Sequence, residues 1–456
     1  MAVTTKKRQP DLRLISLDIL LRTMDQGEYY DKVLHEVLKR HSYLEARDRH
    51  FITRLTNGVV ERAIELDYII SKLSQGDGKI KPVVRNILRM GVYQIMYMDS
   101  VPDSAAVNES VKLAEKKKVA ALKGYINGLL RNVVRRGDEV RFPDKKENEI
   151  KYYSVWYSMP EWIVKYMLVH FGDRTENILR SFYEDSHYTT VRVNTHKASV
   201  DEVRESLEGA GVTVKEGDFF DYALKIKGFG RLDEVESFKE GLFQVQDESS
   251  MLDGAVSGAK EEMQILDMCA APGGKSLHLA DIMKGTGKII ACDVAKKKVD
   301  LIRENLIRTG IHNVKLKKYD STVLNAEWKE AFDIVVCDVP CSGLGVLKNK
   351  SDIKYKLRKK DIEELKEIQQ QILKCAVRYV KPGGTLIYST CTLVQEENED
   401  NMFWLRDNFN LGLVSIEDSL PEKLKGHTGP KGYIQVLPDV AEVDGFFVAK
   451  FVKEKK

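Results

Sequence analysis

The chain has 456 residues, more than one hydrophobic core usually spans, so two or three domains are expected. With 43% hydrophobic and 31% charged residues and only 11 prolines, it is not a disordered, collagen-like or low-complexity protein. It also holds no run of about 18 apolar residues that would mark a membrane span.

The net charge of +3 is unevenly spread. Residues 1–141 carry 26 basic against 18 acidic side chains, a net +8, and the remainder 46 against 51, a net −5. A basic front on an acidic body fits an anion-binding arm, with nucleic acid the obvious partner; a solvated helical surface fits the charge equally well. The start, Met-Ala-Val-Thr-Thr-Lys-Lys-Arg, is basic but has no apolar stretch behind it, so a cytoplasmic location is expected. All six cysteines (269, 292, 337, 341, 375 and 391) lie in the last 188 residues without a CxxC pair. Free thiols are therefore expected rather than disulfides or a zinc site. The nine histidines are scattered without ligand spacing, so no metal is expected.

Residues 10–136 read as nearly all helix. Leu14, Leu17, Leu20 and Leu21 recur at helical spacing, as do Phe51, Leu55, Val59 and Ile64, then Ile87, Met90, Val92, Ile95 and Met96. Val-Pro-Asp-Ser at 101–104 interrupts the pattern, with Ser104 placed to cap a helix over 105–119, and a further helix covers 124–136. Short linkers and no plausible strand imply a helical bundle ending near residue 141. A small α+β module over 150–240 follows: an aromatic-rich helix at 160–171, a strand at 189–194, a helix at 200–210, and short strands at 212–214 and 222–226. From 241 the pattern becomes strand–helix alternation, the mark of a parallel sheet covered by helices. Its strands are expected at 264–268, 288–292, 314–316, 332–337, 385–389 and 445–451, and its main helices at 296–308 and 361–379.

Three segments carry chemistry. Cys269-Ala270-Ala271-Pro272-Gly273-Gly274-Lys275 follows the first strand and precedes a helix, where small residues let a ligand approach the backbone and free N–H groups. Asp293 ends the second strand, where a doubly wound fold places a carboxylate for ribose hydroxyls. The GxGxxG and GxxxxGK[ST] spacings are both absent, which favours a nucleoside over a dinucleotide or a nucleoside triphosphate. Asp320, after the third strand, is placed either to accept from a base amine or simply to close a turn. Asp338-Val-Pro-Cys341-Ser-Gly-Leu-Gly345 and Ser389-Thr-Cys391-Thr392 each end a long strand, so two thiols and a carboxylate should meet at neighbouring strand ends. Cys292 and Cys375 read as buried small hydrophobes.

CAAPGGK, DVPCSGLG and STCT resemble signature motifs of the S-adenosylmethionine-dependent RNA (cytosine-5) methyltransferases. Phe243-Gln-Val-Gln-Asp-Glu-Ser-Ser250 and Asp444-Gly-Phe-Phe-Val-Ala-Lys450 resemble the same family. Leu88-Arg-Met-Gly-Val-Tyr-Gln-Ile95 and Ala106-Val-Asn-Glu-Ser110 resemble the NusB-like domain of its bacterial branch, the ribosomal small-subunit methyltransferase B family, also called Sun or Fmu. The resemblance spans essentially the whole chain; Val339 and Leu344 depart from the usual motif in packing residues only. It implies a multidomain fold: an all-α NusB-like helical bundle (1–141), a small α+β module (150–240) and an α/β Rossmann-like class I methyltransferase domain (241–456).

It also implies S-adenosylmethionine held by Cys269–Lys275, Asp293, Asp320 and Asp338, and methylation of cytosine 967 in 16S ribosomal RNA on free or partly assembled small subunits; a monomer is the default. Carbon 5 of cytosine is a weak nucleophile; thiolate addition at C6 turns the ring into an enamine, and a carboxyl such as Asp338 stabilises the adduct at N3 and N4. The chemistry alone does not choose between the two thiols, because DNA enzymes attack with a Pro-Cys cysteine. The resemblance makes Cys391 the nucleophile and gives product release to Cys341. Lys275 is placed to favour a thiolate or to orient the base. DVPC argues against methylation of an exocyclic amine. Arg135, Arg136 and Lys116–Lys118 are candidate phosphate contacts. The same chemistry on transfer RNA, or a non-catalytic RNA-binding assembly role, are the alternative functions; the intact motifs weigh against the second.

Overall fold

The computed structural model describes residues 10–74, 80–183, 188–427 and 432–455, so the basic start lies outside the described residues. It divides into two compact units.

The first unit runs to residue 183 and includes the distant segment 347–357. Its helices begin with Leu12–Leu20, Tyr30–Arg40, Ala46–Glu61 and Ala63–Leu73, and continue with Pro82–Tyr97, Asp103–Lys116 and Lys123–Arg136. The apolar stripes seen in sequence meet here: Leu17, Leu55, Val59, Leu66, Ile87 and Met90 are fully buried in one core. Ser104 does not cap the sixth of these helices. Pro102 stands at the cap, its carbonyl accepting from the Ala105 and Ala106 N–H groups, and the helix begins at Asp103. Proline's fixed φ (−60° here) starts the turn two residues earlier than the Ser104 cap would. The helix ends at Lys116 rather than 119.

Helices Glu149–Trp156, Glu161–Phe171 and Thr175–Ser181 complete the unit. Segment 347–357 docks on it through side chains. Asp352 accepts from the Tyr30 N–H at 2.9 Å, and Lys354 donates to the Glu61 carbonyl at 2.8 Å and to the Tyr183 hydroxyl at 2.9 Å. Burial brings the Lys354 ammonium down to about 7.

The second unit begins with a four-stranded sheet of β1 (Thr189–Val193), β2 (Thr213–Glu216), β3 (Ala223–Lys227) and β4 (Phe243–Val245), in the order β2-β3-β1-β4 and antiparallel throughout. Helix Val200–Gly209 covers it, opened by a capping box between Ser199 and Glu202. The short β4 has no alternating pattern of its own and exists because it pairs with β1.

The larger sheet holds β5 (Gln264–Asp267), β6 (Lys288–Asp293), β7 (Val314–Lys318), β8 (Phe332–Asp338), β9 (Val380–Thr390), β10 (Leu411–Leu413), β11 (Tyr433–Val436) and β12 (Phe446–Lys453). Its order is β10-β12-β9-β8-β5-β6-β7, with β11 pairing β12. Strands β5 to β9 are parallel, and β10 to β12 pair antiparallel at one side. Near-continuous apolar strands such as Ile334–Cys337 are buried on both faces, as a covered parallel sheet requires. The chain reverses direction across the sheet between β5 and β8, which opens a crevice at their carboxyl ends. Arg192 of β1, fully buried, pairs with Asp281 at 3.2 Å and ties the small sheet to the helix Gly274–Ile282. Among the described residues no helix is long and apolar enough to cross a membrane.

Candidate active site

The segment Cys269–Lys275 leaves β5 at this crevice and turns into the helix Gly274–Ile282. Gly273 has φ +108°, and a Cβ there would press on Ile302 at 3.0 Å, so both conformation and space demand glycine. No side chain caps this helix, which leaves its first N–H groups free for a ligand. Asp293 is buried at the end of β6; its Oδ1 accepts from the Ala295 N–H at 3.2 Å and its Oδ2 lies 3.6 Å from Lys298. A glycine cradle, uncapped amides and a buried carboxylate at the next strand end fit the amino-acid and ribose parts of a nucleoside ligand such as S-adenosylmethionine. Asp320 is exposed and accepts from both the N–H and the hydroxyl of Thr322, which hold its carboxyl below the usual range. It closes a turn, the simpler of its two expected uses, and lies in the loop after β7. Burial pushes the Cys269 thiol up, which suits a contact surface rather than a nucleophile.

The carboxyl ends of β8 and β9 are adjacent, as the motifs predict, and bring the two thiols together. Cys341 Sγ lies 3.3 Å from Cys391 Sγ, both half-buried. The loops carrying them are knitted by Gly345 N–H to the Cys391 carbonyl at 3.0 Å, Ser342 Oγ to Thr392 Oγ1 at 2.6 Å, and Ser342 N–H to Glu397 at 3.0 Å. Gly445 N–H donates to the Gly345 carbonyl at 2.9 Å, so the start of β12 also braces this turn. Contact with Cys391, and then burial, hold the Cys341 thiol well above its ordinary value. Cys341 therefore stays protonated beside Cys391. Cys292 is fully buried and Cys375 nearly so, the small hydrophobes expected.

Lys275 points at the second carboxylate of the site. Its ammonium sits 2.6 Å from Asp338 and 2.9 Å from Asp253, with the Phe446 ring 4.6 Å away. Ser389 Oγ donates to Asp253 at 2.7 Å and lies 3.5 Å from Asp338. Burial, with the Asp338 charge adding and Lys275 opposing, brings the Asp253 carboxyl up to about 6. Asp267 at the end of β5, fully buried and bonded to Ser276 Oγ at 2.6 Å, is pushed up to about 7. Lys275 is thus neutralised by carboxylates rather than directed at a thiol. Asp253 was not singled out from sequence, and Ser389 was read only as part of the Ser389-Thr-Cys391-Thr392 segment. The available signal for Asp253 was a carboxylate inside the apolar run Met251-Leu-Asp-Gly-Ala-Val256.

The model of the 16S rRNA methyltransferase RsmB/F family matches residues 256–452, the NusB family model residues 10–135, and the RsmF/B-like ferredoxin-like domain residues 159–233. The probable ribosomal RNA small subunit methyltransferase B of Bacillus subtilis (strain 168) is 33% identical over 451 residues, covering 98% of this chain and 100% of its own. The chain belongs to the ribosomal RNA small subunit methyltransferase B family. Its members are S-adenosylmethionine-dependent methyltransferases. The ribosomal RNA small subunit methyltransferase B of Enterobacter sp. (strain 638) is 29% identical, covering 98% of this chain and 100% of its own. The crystal structure of PH0851 is similar at a TM-score of 0.81 with 29% identity, covering 99% of this chain and all of that one. A methyltransferase homolog protein from Pyrococcus horikoshii follows at a TM-score of 0.57 with 28% identity, covering 67% of this chain and 99% of that one. The multidomain fold expected from sequence is thereby established: a NusB-like helical domain, a small sheet module and a Rossmann-like methyltransferase domain.

Proposed function

We propose that this protein methylates carbon 5 of a cytosine in 16S ribosomal RNA, cytosine 967 by family resemblance, through a covalent bond between Cys391 and C6. The observation that carries this reading is the 3.3 Å approach of Cys341 and Cys391 at adjacent strand ends, beside the Asp338–Lys275 pair. The flipped base enters the crevice. Cys391 Sγ adds to C6 as its thiolate; the Asp338 carboxyl, entering as the acid, passes its proton to N3, where negative charge develops, and accepts from the N4 amine, and N3 returns the proton when the thiolate leaves. Lys275, held on Asp338, orients that carboxyl toward the base. Bound S-adenosylmethionine, held by Cys269–Lys275, Asp293 and Asp338 with Asp320 at the edge of the site, supplies an electrophilic methyl group. Water takes the C5 proton, the freed pair re-forms the C5–C6 double bond as the C6–S bond breaks with its pair on Cys391 Sγ, and protonated Cys341 donates a hydrogen bond to that leaving thiolate. Residues 1–141 contribute phosphate contacts, Arg135, Arg136 and Lys116–Lys118 among them. The substrate is free or partly assembled small-subunit RNA, and the enzyme works in the cytoplasm as a monomer.

The test is transfer of tritiated methyl from S-adenosylmethionine to unmodified 16S ribosomal RNA, 23S ribosomal RNA and transfer RNA, with the product mapped by bisulfite sequencing. Label on one small-subunit cytosine is expected. Label confined to transfer RNA, or none in any RNA, overturns the reading.

A further inference from the structure

We propose that Asp253 is a positioning residue of the methyl-transfer site, whose buried negative charge holds the Lys275 ammonium in place against Asp338. The inference rests on the cytosine-5 reading above and adds to it a residue outside the three motifs.

The geometry carries it. Asp253 lies on the buried face of helix Glu248–Ser257 and is fully enclosed. Its Oδ2 receives the Lys275 ammonium at 2.9 Å and the Ser389 hydroxyl at 2.7 Å. Its Oδ1 has no hydrogen-bond partner among the described residues. A hydrogen-bonding strut alone needs no charge here, because an amide oxygen would accept the same two bonds. A buried carboxylate with an unpaired oxygen is costly, and its compensation in this pocket is the ammonium it faces. Lys275 is shared between Asp253 behind and Asp338 in front, with the Phe446 ring over it. The other groups facing Asp253 are Asp267 from β5 and Cys337 from β8. The cluster thus holds more carboxyl groups than ammonium groups, and Lys275 already touches both Asp338 and Asp253. Protonation of Asp253 leaves Asp338 alone to balance the ammonium, which then competes more strongly with the target base for the Asp338 oxygens. Ionised Asp253 shares that charge and weakens the competition.

The consequence is a rate that depends on the charge of Asp253. Wild-type kcat should fall on the acid side as pH drops through about 6, where burial places this carboxyl. Asp253→Asn keeps both acceptor contacts and removes the charge. It should lower kcat roughly ten-fold or more near neutral pH, and flatten the limb near pH 6. The KM for S-adenosylmethionine should stay within about two-fold, and Asp253→Ala should match Asp253→Asn. A wild-type kcat and an unchanged acid limb in Asp253→Asn overturn the proposal. Should that variant fail to unfold cooperatively, Ser389→Ala replaces it. Losing a donor to the charged form raises the proton affinity of Asp253, so the limb should move up by roughly half a unit or more. An unmoved limb in Ser389→Ala also overturns the proposal. A wild-type enzyme that places no methyl on C5 of any cytosine removes the underlying reading and the proposal with it. An active wild type with an indifferent Asp253→Asn removes the proposal alone.

Discussion

Cys341 Sγ and Cys391 Sγ stand 3.3 Å apart although 50 residues separate them, each carried on a turn that leaves one of two paired parallel strands. Two thiols in contact cannot both ionise easily, and contact with Cys391, then burial, raises the Cys341 thiol; the proposed chemistry has Cys391 attack. Cys391→Ala should abolish methyl transfer and form no covalent RNA complex. Cys341→Ala should attack but release slowly, accumulating a protein–RNA adduct on a denaturing gel. An adduct in Cys391→Ala but not in Cys341→Ala reverses the two roles.

Asp293→Ala should weaken S-adenosylmethionine binding by about 1.5–3 kcal/mol for each ribose hydroxyl bond removed. Calorimetric titration measures it directly. Unchanged affinity takes Asp293 out of the cofactor site.

Gly345→Ala should be among the most damaging small substitutions. A Cβ there would run into the Gly445 and Cys391 carbonyl oxygens, both main-chain atoms with no rotamer to yield. Loss of roughly 1–3 kcal/mol of stability is expected from such overpacking, together with loss of transfer, because the Cys341 turn must move. Chemical denaturation with parallel transfer assays checks both. Normal activity would show that the turn has slack.

The buried carboxylates Asp253 and Asp267 set a pH dependence of stability. Both are raised in the folded protein, to about 6 and about 7, above their ordinary value of 3.8. Between about pH 4 and 7 the native state therefore binds more protons than the unfolded chain, so stability falls as pH rises through that window. The loss over the window should be on the order of a few kcal/mol, measured as denaturant midpoints at constant ionic strength. Asp267→Asn should flatten part of the slope while keeping the bond from Ser276. A slope of opposite sign would mean that both groups stay ionised at low pH. His278, held well below its usual value by burial and by Arg192, opposes this trend below about pH 6.5, inside the same window, because the unfolded imidazole takes up a proton there that the folded one does not.

Replacing Lys116, Lys117, Lys118, Arg135 and Arg136 with glutamine should weaken RNA binding and leave S-adenosylmethionine affinity alone. Three of these side chains already sit in exposed ion pairs, Lys116 with Asp11, Lys117 with Asp18 and Arg136 with Glu139. Such surface pairs are worth little and yield readily to phosphates. The slope of log affinity against log salt should fall by roughly 0.7 for each single-stranded phosphate that the variant no longer neutralises. An unchanged slope moves the RNA surface elsewhere.

Helical stripes, the strand–turn–helix around Cys269–Lys275, and the placement of Asp338 and Cys391 at strand ends were legible in the sequence. Each is written within a dozen residues, by periodicity or by glycine and proline at a turn. Strands β4, β10 and β11 were not, because three or four residues carry no period and owe their form to a paired neighbour. Segment 347–357 reads locally as an ordinary loop; only the folded unit brings Lys354 to the Glu61 carbonyl, 293 residues away. The direction of Lys275 was likewise beyond local reading. Its motif marks where the lysine sits, but the carboxylates that claim its charge come from another helix and another strand. Ion-pair partners inside a core are chosen by packing, whereas turn and strand chemistry is chosen by adjacent residues.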